Sequence, residues 1–143
     1  MIFKKITIFC LLTGLIFSKF PDAIGYNGMV VSSNEYASEI GLNILKKGGN
    51  AIDAAVAVGF ALAVTSSGNG NIGGGGFLVA KMASGASFTL DHREAAPKKS
   101  KRDMFLNSDG DVIPGMSLGT RASSGVPGTV DGLLRVFYDY GSG

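Results

Sequence analysis

One cysteine and one histidine are all the thiol and imidazole in this chain of 143 residues, and that scarcity removes whole classes of chemistry. A lone Cys10 allows no intramolecular disulfide, so a disulfide scaffold is excluded. A lone His92 cannot build a metal centre, because the soft and borderline ligands that accompany histidine in such sites are absent; no metal and no cofactor is expected. Charge is scarce too: Asp, Glu, Lys and Arg make up 17% of the residues, and the formal net charge is +2. Even that excess belongs to the start of the chain, since taking away Lys4, Lys5, Lys19 and Asp22 leaves 10 basic and 10 acidic side chains. A neutral chain gives no electrostatic reason to expect nucleic acid as a partner. Internal repeats and coiled-coil heptads are also missing.

What is present is apolar and rich in glycine, 45% hydrophobic with 22 glycines. That is too apolar for a disordered chain, and the glycines lack the Gly-x-y period of collagen. The length allows one domain at most. Residues 1–23 read as a secretory signal peptide: Lys4 and Lys5 precede an apolar stretch from Ile6 to Phe17 that is short for a membrane span. Cleavage is expected after Ala23, although Pro21 makes the site a poor one; an N-terminal anchor or a buried strand is the alternative. Phe9 is not the small residue that precedes a lipid-modified cysteine, so Cys10 is not read as a lipoprotein anchor. The expected location is periplasmic or secreted, with no stable membrane anchor.

Beyond the leader, Ser32 and Glu35 have capping-box spacing, followed by Ala37, Ile40, Ile44 and Leu45 at helical intervals. Lys46 and Lys47 suit the negative end of that helix, and Gly48 and Gly49 stop it. Asn50 then caps a second helix with Asp53 three residues on. From Ala51 to Val64 this helix is apolar on nearly every face, which predicts a buried helix, too short to cross a bilayer. A glycine- and asparagine-rich stretch, Ser66 to Gly76, leads to a hairpin of Phe77–Met82 and Ser87–Leu90, turning at Ala83, Ser84 and Gly85. Its second strand ends at Asp91, His92, Arg93 and Glu94. Residues 98–126 look irregular. Pro127 fits the first turn of a third helix carrying Val130, Leu133, Leu134 and Phe137, ended by Gly141. The order helix, helix, hairpin, helix is an α+β arrangement or part of a larger layered one.

Two motifs mimic chemistry without its context. Gly68, Gly70 and Gly73 satisfy G-x-G-x-x-G, but that fingerprint needs a strand before it and a helix after it, the reverse of the order here. Gly115, Ser117 and Gly119 satisfy the nucleophile elbow G-x-S-x-G, but the histidine of such a triad follows the serine, whereas His92 precedes it. A turn is the better reading there. His92 defaults to a surface or hydrogen-bonded residue, and Lys98, Lys99, Lys101 and Arg102 to a solvated loop. Arg93 stands out, because its planar fork can hold a carboxylate through two parallel hydrogen bonds. An ion pair with Asp91 or Glu94 is the plainer alternative.

Read together, several segments resemble the start of the large subunit of the γ-glutamyltranspeptidases, also called glutathione hydrolases. They are Gly28–Ser33 with Ala37-Ser38-Glu39, the run Leu45 to Ala57, Gly73 to Phe77, Asp91 to Pro97, Arg102 to Leu106, and Gly125 to Thr129. The likeness is collinear from about Gly28 onward. It implies a partial N-terminal-nucleophile hydrolase fold, an αββα sandwich incomplete in residues 24–143, from a precursor that cuts itself into two subunits. It also implies a threonine nucleophile on a small-subunit partner, hence no catalytic residue in this chain, which alone would be an inactive zymogen fragment. Its hydroxyl attacks the γ-glutamyl carbonyl of substrates such as glutathione, and water or an amino acid resolves the acyl-enzyme. The arginine of the family's Arg-Glu-x-Ala-Pro motif binds the substrate α-carboxylate, and that residue is Arg93 here. Glu94 is a supporting neighbour with no assigned contact. Ser66, Ser67 and Gly68 depart from the family, whose members usually have a proline shortly before the glycine run. For the glycine run itself, packing is favoured over ligand binding. A related acylase and a non-catalytic remnant are the competing readings, and an acylase for apolar acids would have no carboxylate for Arg93 to hold.

Overall fold

The computed structural model describes residues 23–143, so the assigned signal peptide lies outside the described residues except for exposed Ala23. The first helix, α1, spans Glu35–Lys46. Its cap is Asn34 rather than Ser32: the Asn34 side chain accepts from the backbone N–H groups of Tyr36 (3.0 Å) and Ala37 (3.3 Å). Asparagine caps as well as serine does, and it sits one residue before the first helical turn, so the expected Ser32–Glu35 box does not form. Ser32 Oγ instead donates to the Asn34 carbonyl at 2.7 Å. Beyond Lys47, Gly48 takes a left-handed conformation with φ of 96°, a backbone turn that glycine makes without strain.

Helix α2, Ala51–Thr65, opens with the anticipated box. Asn50 Oδ1 accepts from Ile52 N and Asp53 N, while Asp53 Oδ2 accepts from Asn50 N at 2.7 Å. The helix is less buried than its uniform apolarity predicts. Ile52, Ala54 and Val56 are buried, but Val64 is 82% exposed. Its covered faces are those turned toward α1, toward the last helix of the chain and toward the hairpin side chains packed on Ile52 and Val56.

The hairpin pairs β1, Phe77–Lys81, with β2, Ser87–Asp91, antiparallel, in a register that sets Leu78 opposite Leu90 and Ala80 opposite Phe88. Period-two alternation divides its faces. Leu78, Ala80, Phe88 and Leu90 pack onto a core of Ile52, Val56, Leu133 and Val136, whereas Phe77 and Val79 are exposed. After β2, a one-turn helix α3 (Met116–Gly119) and a 3₁₀ turn (Arg121–Ser123) interrupt the loop expected to be irregular.

Helix α4, Thr129–Tyr140, starts after Gly128, so Pro127 lies just outside it instead of in its first turn. Its buried face is Gly132, Leu133 and Val136. Val130, Leu134 and Phe137, expected on the apolar stripe, remain partly exposed. Gly141 ends the helix as expected. A Cβ at Gly59 of α2 would stand 2.9 Å from Leu133 Cδ1, so the glycine lets α2 and α4 approach closely beneath the hairpin. The described residues are thus a mixed α and β unit, with helices against one face of a small sheet.

Candidate functional site

The end of β2 and the start of α4, which flank Arg93, are both tied to the glycine loop. Between α2 and β1 that loop is fastened on two sides. Toward α4, the Gly74 carbonyl accepts from Gly128 N (2.9 Å) and Thr129 N (3.1 Å), and Thr129 Oγ1 donates to the Asn71 carbonyl (3.0 Å). Toward β2, Gly76 and His92 exchange hydrogen bonds, His92 N to Gly76 O at 2.9 Å and Gly76 N to His92 O at 3.3 Å, extending the hairpin ladder by one pair. The Gly68, Gly70, Gly73 pattern therefore lies after a helix and before a strand, the inverted context expected for it.

Around the exit of β2 the backbones come unusually close. A Cβ on Gly75 would lie 2.5 Å from His92 O and 2.7 Å from both Arg93 Cα and Glu94 N. One on Gly128 would overlap the His92 carbonyl, and one on Gly132 would overlap Cβ and Cγ of His92. His92 is thus a packed residue, a correction to the expected surface or hydrogen-bonded histidine. Its Nδ1 is buried and hydrogen-bonds to no described residue. Packing fills the slot with the ring, and the strand pairing is satisfied by the His92 backbone instead.

Arg93 leaves this slot pointing outward, its side chain 66% exposed. The Asp91 carboxylate is engaged with the Arg93 backbone, accepting from its N–H at 3.0 Å, and so fixes the turn. Glu94 Oε2 is 4.0 Å from Arg93 Nε, and the guanidinium carbon is 6.0 Å from the centre of the Phe77 ring. At that separation in solvent an ion pair holds the guanidinium only weakly. Its fork is therefore open to a stronger, bidentate acceptor. Beside it, Glu94 lines a cleft of about 250 Å³ that reaches Asn71 and Thr129.

Ser117 of the elbow-like pattern sits on α3, preceded by Gly115 with φ of 73° and by no strand, which is a turn and not an elbow. Sequence reasoning missed Gly128, Gly132, Asn71 and Thr129 as parts of the Arg93 surroundings. A signal existed for Gly132: glycine inside a helix costs roughly 1 kcal/mol against alanine, so it points to a packing demand.

The family described as Gamma-glutamyltranspeptidase matches residues 37–143. The chain is 51% identical over 116 residues to a glutathione hydrolase proenzyme of Pseudomonas sp. (strain A14), covering 81% of this chain and 20% of that protein. It is 49% identical over 115 residues to the glutathione hydrolase proenzyme of Escherichia coli (strain K12), with 80% and 20% covered. Among solved structures, the γ-glutamyltranspeptidase of Helicobacter pylori superposes with a TM-score of 0.81 at 49% identity, over 86% of this chain and 35% of that one. The transpeptidase CapD of Bacillus anthracis gives a TM-score of 0.59 at 29% identity, over 85% and 34%. The chain spans about a fifth of the length of the curated relatives it matches. Because the matched span contains the glycine loop, the hairpin, the Arg93 turn and α4 together, the chain belongs to the γ-glutamyltranspeptidase family.

Proposed function

We propose that residues 24–143 form the N-terminal part of the large subunit of a periplasmic or secreted γ-glutamyltransferase and glutathione hydrolase, following a signal peptide at residues 1–23. In this reading the helices and hairpin belong to an αββα N-terminal-nucleophile fold completed by the small subunit. Arg93 holds the α-carboxylate of the γ-glutamyl group. The small subunit supplies a threonine whose hydroxyl attacks the γ-carbonyl while its own amine takes the proton; the C–N bond breaks and the amine leaves. Water or an acceptor amino acid then releases the glutamyl group.

The observation that carries this reading is the Arg93 side chain, 66% exposed at the end of β2 and loosely accompanied by Glu94 at 4.0 Å. A carboxylate bound there is remote from the carbonyl under attack, so it contributes ground-state and transition-state binding alike. Arg93→Ala in the processed two-subunit enzyme is expected to raise KM for a γ-glutamyl anilide with kcat little changed. An unchanged KM would overturn the assignment.

A further inference from the structure

The side-chain contacts of Arg93 are too weak to fix a guanidinium: one carboxylate at 4.0 Å and one ring at 6.0 Å, both in solvent. Its backbone, by contrast, is held from three directions. The Asp91 carboxylate accepts its N–H, the Gly76–His92 pair fixes the residue before it, and Ala95 exchanges two hydrogen bonds with Val126, at 3.1 and 2.8 Å, just beyond it. Resting on the role proposed for Arg93, we infer that Gly75, Gly128 and Gly132 are positioning residues for it. They form a slot in which Gly75 and Gly128 admit the His92–Arg93 backbone and Gly132 admits the His92 side chain, and this sets where the guanidinium can reach.

The three glycines come from two different elements, which gives the slot its stiffness. Gly75 belongs to the loop before β1, whereas Gly128 and Gly132 belong to the start of α4. Gly74 O ties these walls together by accepting from Gly128 N and Thr129 N. Because a Cβ at Gly75 would meet backbone atoms of His92, Arg93 and Glu94, no rotamer change can absorb it. The strand exit itself must move, carrying Arg93 with it. A displacement of the guanidinium by about 1 Å stretches its hydrogen bonds to the carboxylate beyond good geometry, which weakens binding in the ground and transition states alike.

The experiment compares two substrates of the processed two-subunit enzyme: a γ-glutamyl anilide, and the 4-aminobutanoyl anilide that differs only in lacking the α-carboxylate. The readout is the ratio of their kcat/KM values. Gly75→Ala and Gly128→Ala are expected to lower that ratio by roughly tenfold or more, mainly through a higher KM for the γ-glutamyl substrate. Gly68→Ala is the control, since a Cβ there meets nothing within 4 Å. A defect of folding or maturation lowers the amount of active enzyme and leaves the ratio alone. Gly76→Ala is the milder variant: its Cβ would sit 3.1 Å from Cε1 of the His92 ring, which must give by a few tenths of an ångström and, being packed against Gly132, passes a weaker push to its own backbone, so the variant should mature and show the same change more weakly. Mature Gly75→Ala, Gly128→Ala or Gly76→Ala enzyme with the parental ratio would overturn the inference, and Gly76→Ala decides if the others do not mature. Arg93→Ala runs alongside: if it also leaves the ratio unchanged, the reading of Arg93 fails; if it alone lowers the ratio, only the slot does.

Discussion

Arg93 and lysine would bring the same charge to the same place, so their comparison separates charge from geometry. Two parallel hydrogen bonds from one guanidinium fork cannot be copied by an ammonium group. Losing one charge-assisted bond of about 1.5–3 kcal/mol corresponds to roughly 10- to 100-fold in affinity. Arg93→Lys in the two-subunit enzyme is therefore expected to weaken γ-glutamyl binding within that range, measured as KM. Parental KM in Arg93→Lys would mean that a point charge is enough and that no bidentate contact forms. The neighbouring residue carries a different lesson. His92 was unremarkable as a lone imidazole in the sequence, and its importance comes from the surfaces pressed against it.

At the scale of elements, the junction between α2 and the end of α4 depends on one carboxylate. Asp53 accepts from Asn50 N at 2.7 Å, Ser142 N at 3.1 Å and Ser142 Oγ at 2.6 Å. Asn50 completes the junction by donating Nδ2–H to the Tyr140 carbonyl at 2.8 Å. The Ser142 hydroxyl above all, with the two backbone donors, holds the Asp53 carboxyl below its ordinary value of 3.8 against a smaller opposing effect of desolvation. A depressed folded-state pKa adds stability that is present above the ordinary value and disappears as the pH falls through the lower, folded one. Asp53→Asn imitates the protonated form, so it should destabilise the protein by up to about 1 kcal/mol at neutral pH, solvent screening having reduced the charge effect at this accessible junction. Chemical denaturation should show that deficit shrinking as the pH drops below 3.8. A deficit constant with pH would remove the charge from the explanation.

For the whole molecule, the apolar surface is larger than these elements cover. Among the described residues the buried apolar side chains are Ala37, Ile52, Ala54, Val56, Leu133 and Val136, while Phe77, Val79 and Val64 are 67%, 81% and 82% exposed. Phe77 and Val79 share the outer face of β1, and apolar side chains left open on one face favour association. The 143-residue polypeptide produced alone is expected to bind a hydrophobic dye strongly, to self-associate, and to release no product from a γ-glutamyl anilide. A monomeric, cooperatively melting product would show instead that these elements form a self-sufficient module.

Local physics made much of this legible. The Asn50–Asp53 box, the alternating hairpin and the Gly141 stop follow from hydrogen-bonding groups and periods contained within a few residues, and the sequence determined them unaided. The order of segments from Gly28 to Thr129 likewise pointed to the family, and the Arg-Glu-x-Ala-Pro motif to Arg93. Boundaries decided by competition were less legible: Asn34 took the cap from Ser32, and Pro127 fell outside α4, because neighbouring residues offered nearly equal local solutions. Only the tertiary structure showed that Gly75, Gly128 and Gly132 meet at His92, residues separated along the chain but sharing one slot. A glycine in a sequence states that a side chain is missing. Which backbone fills that space depends on how the loop, the hairpin and α4 pack together.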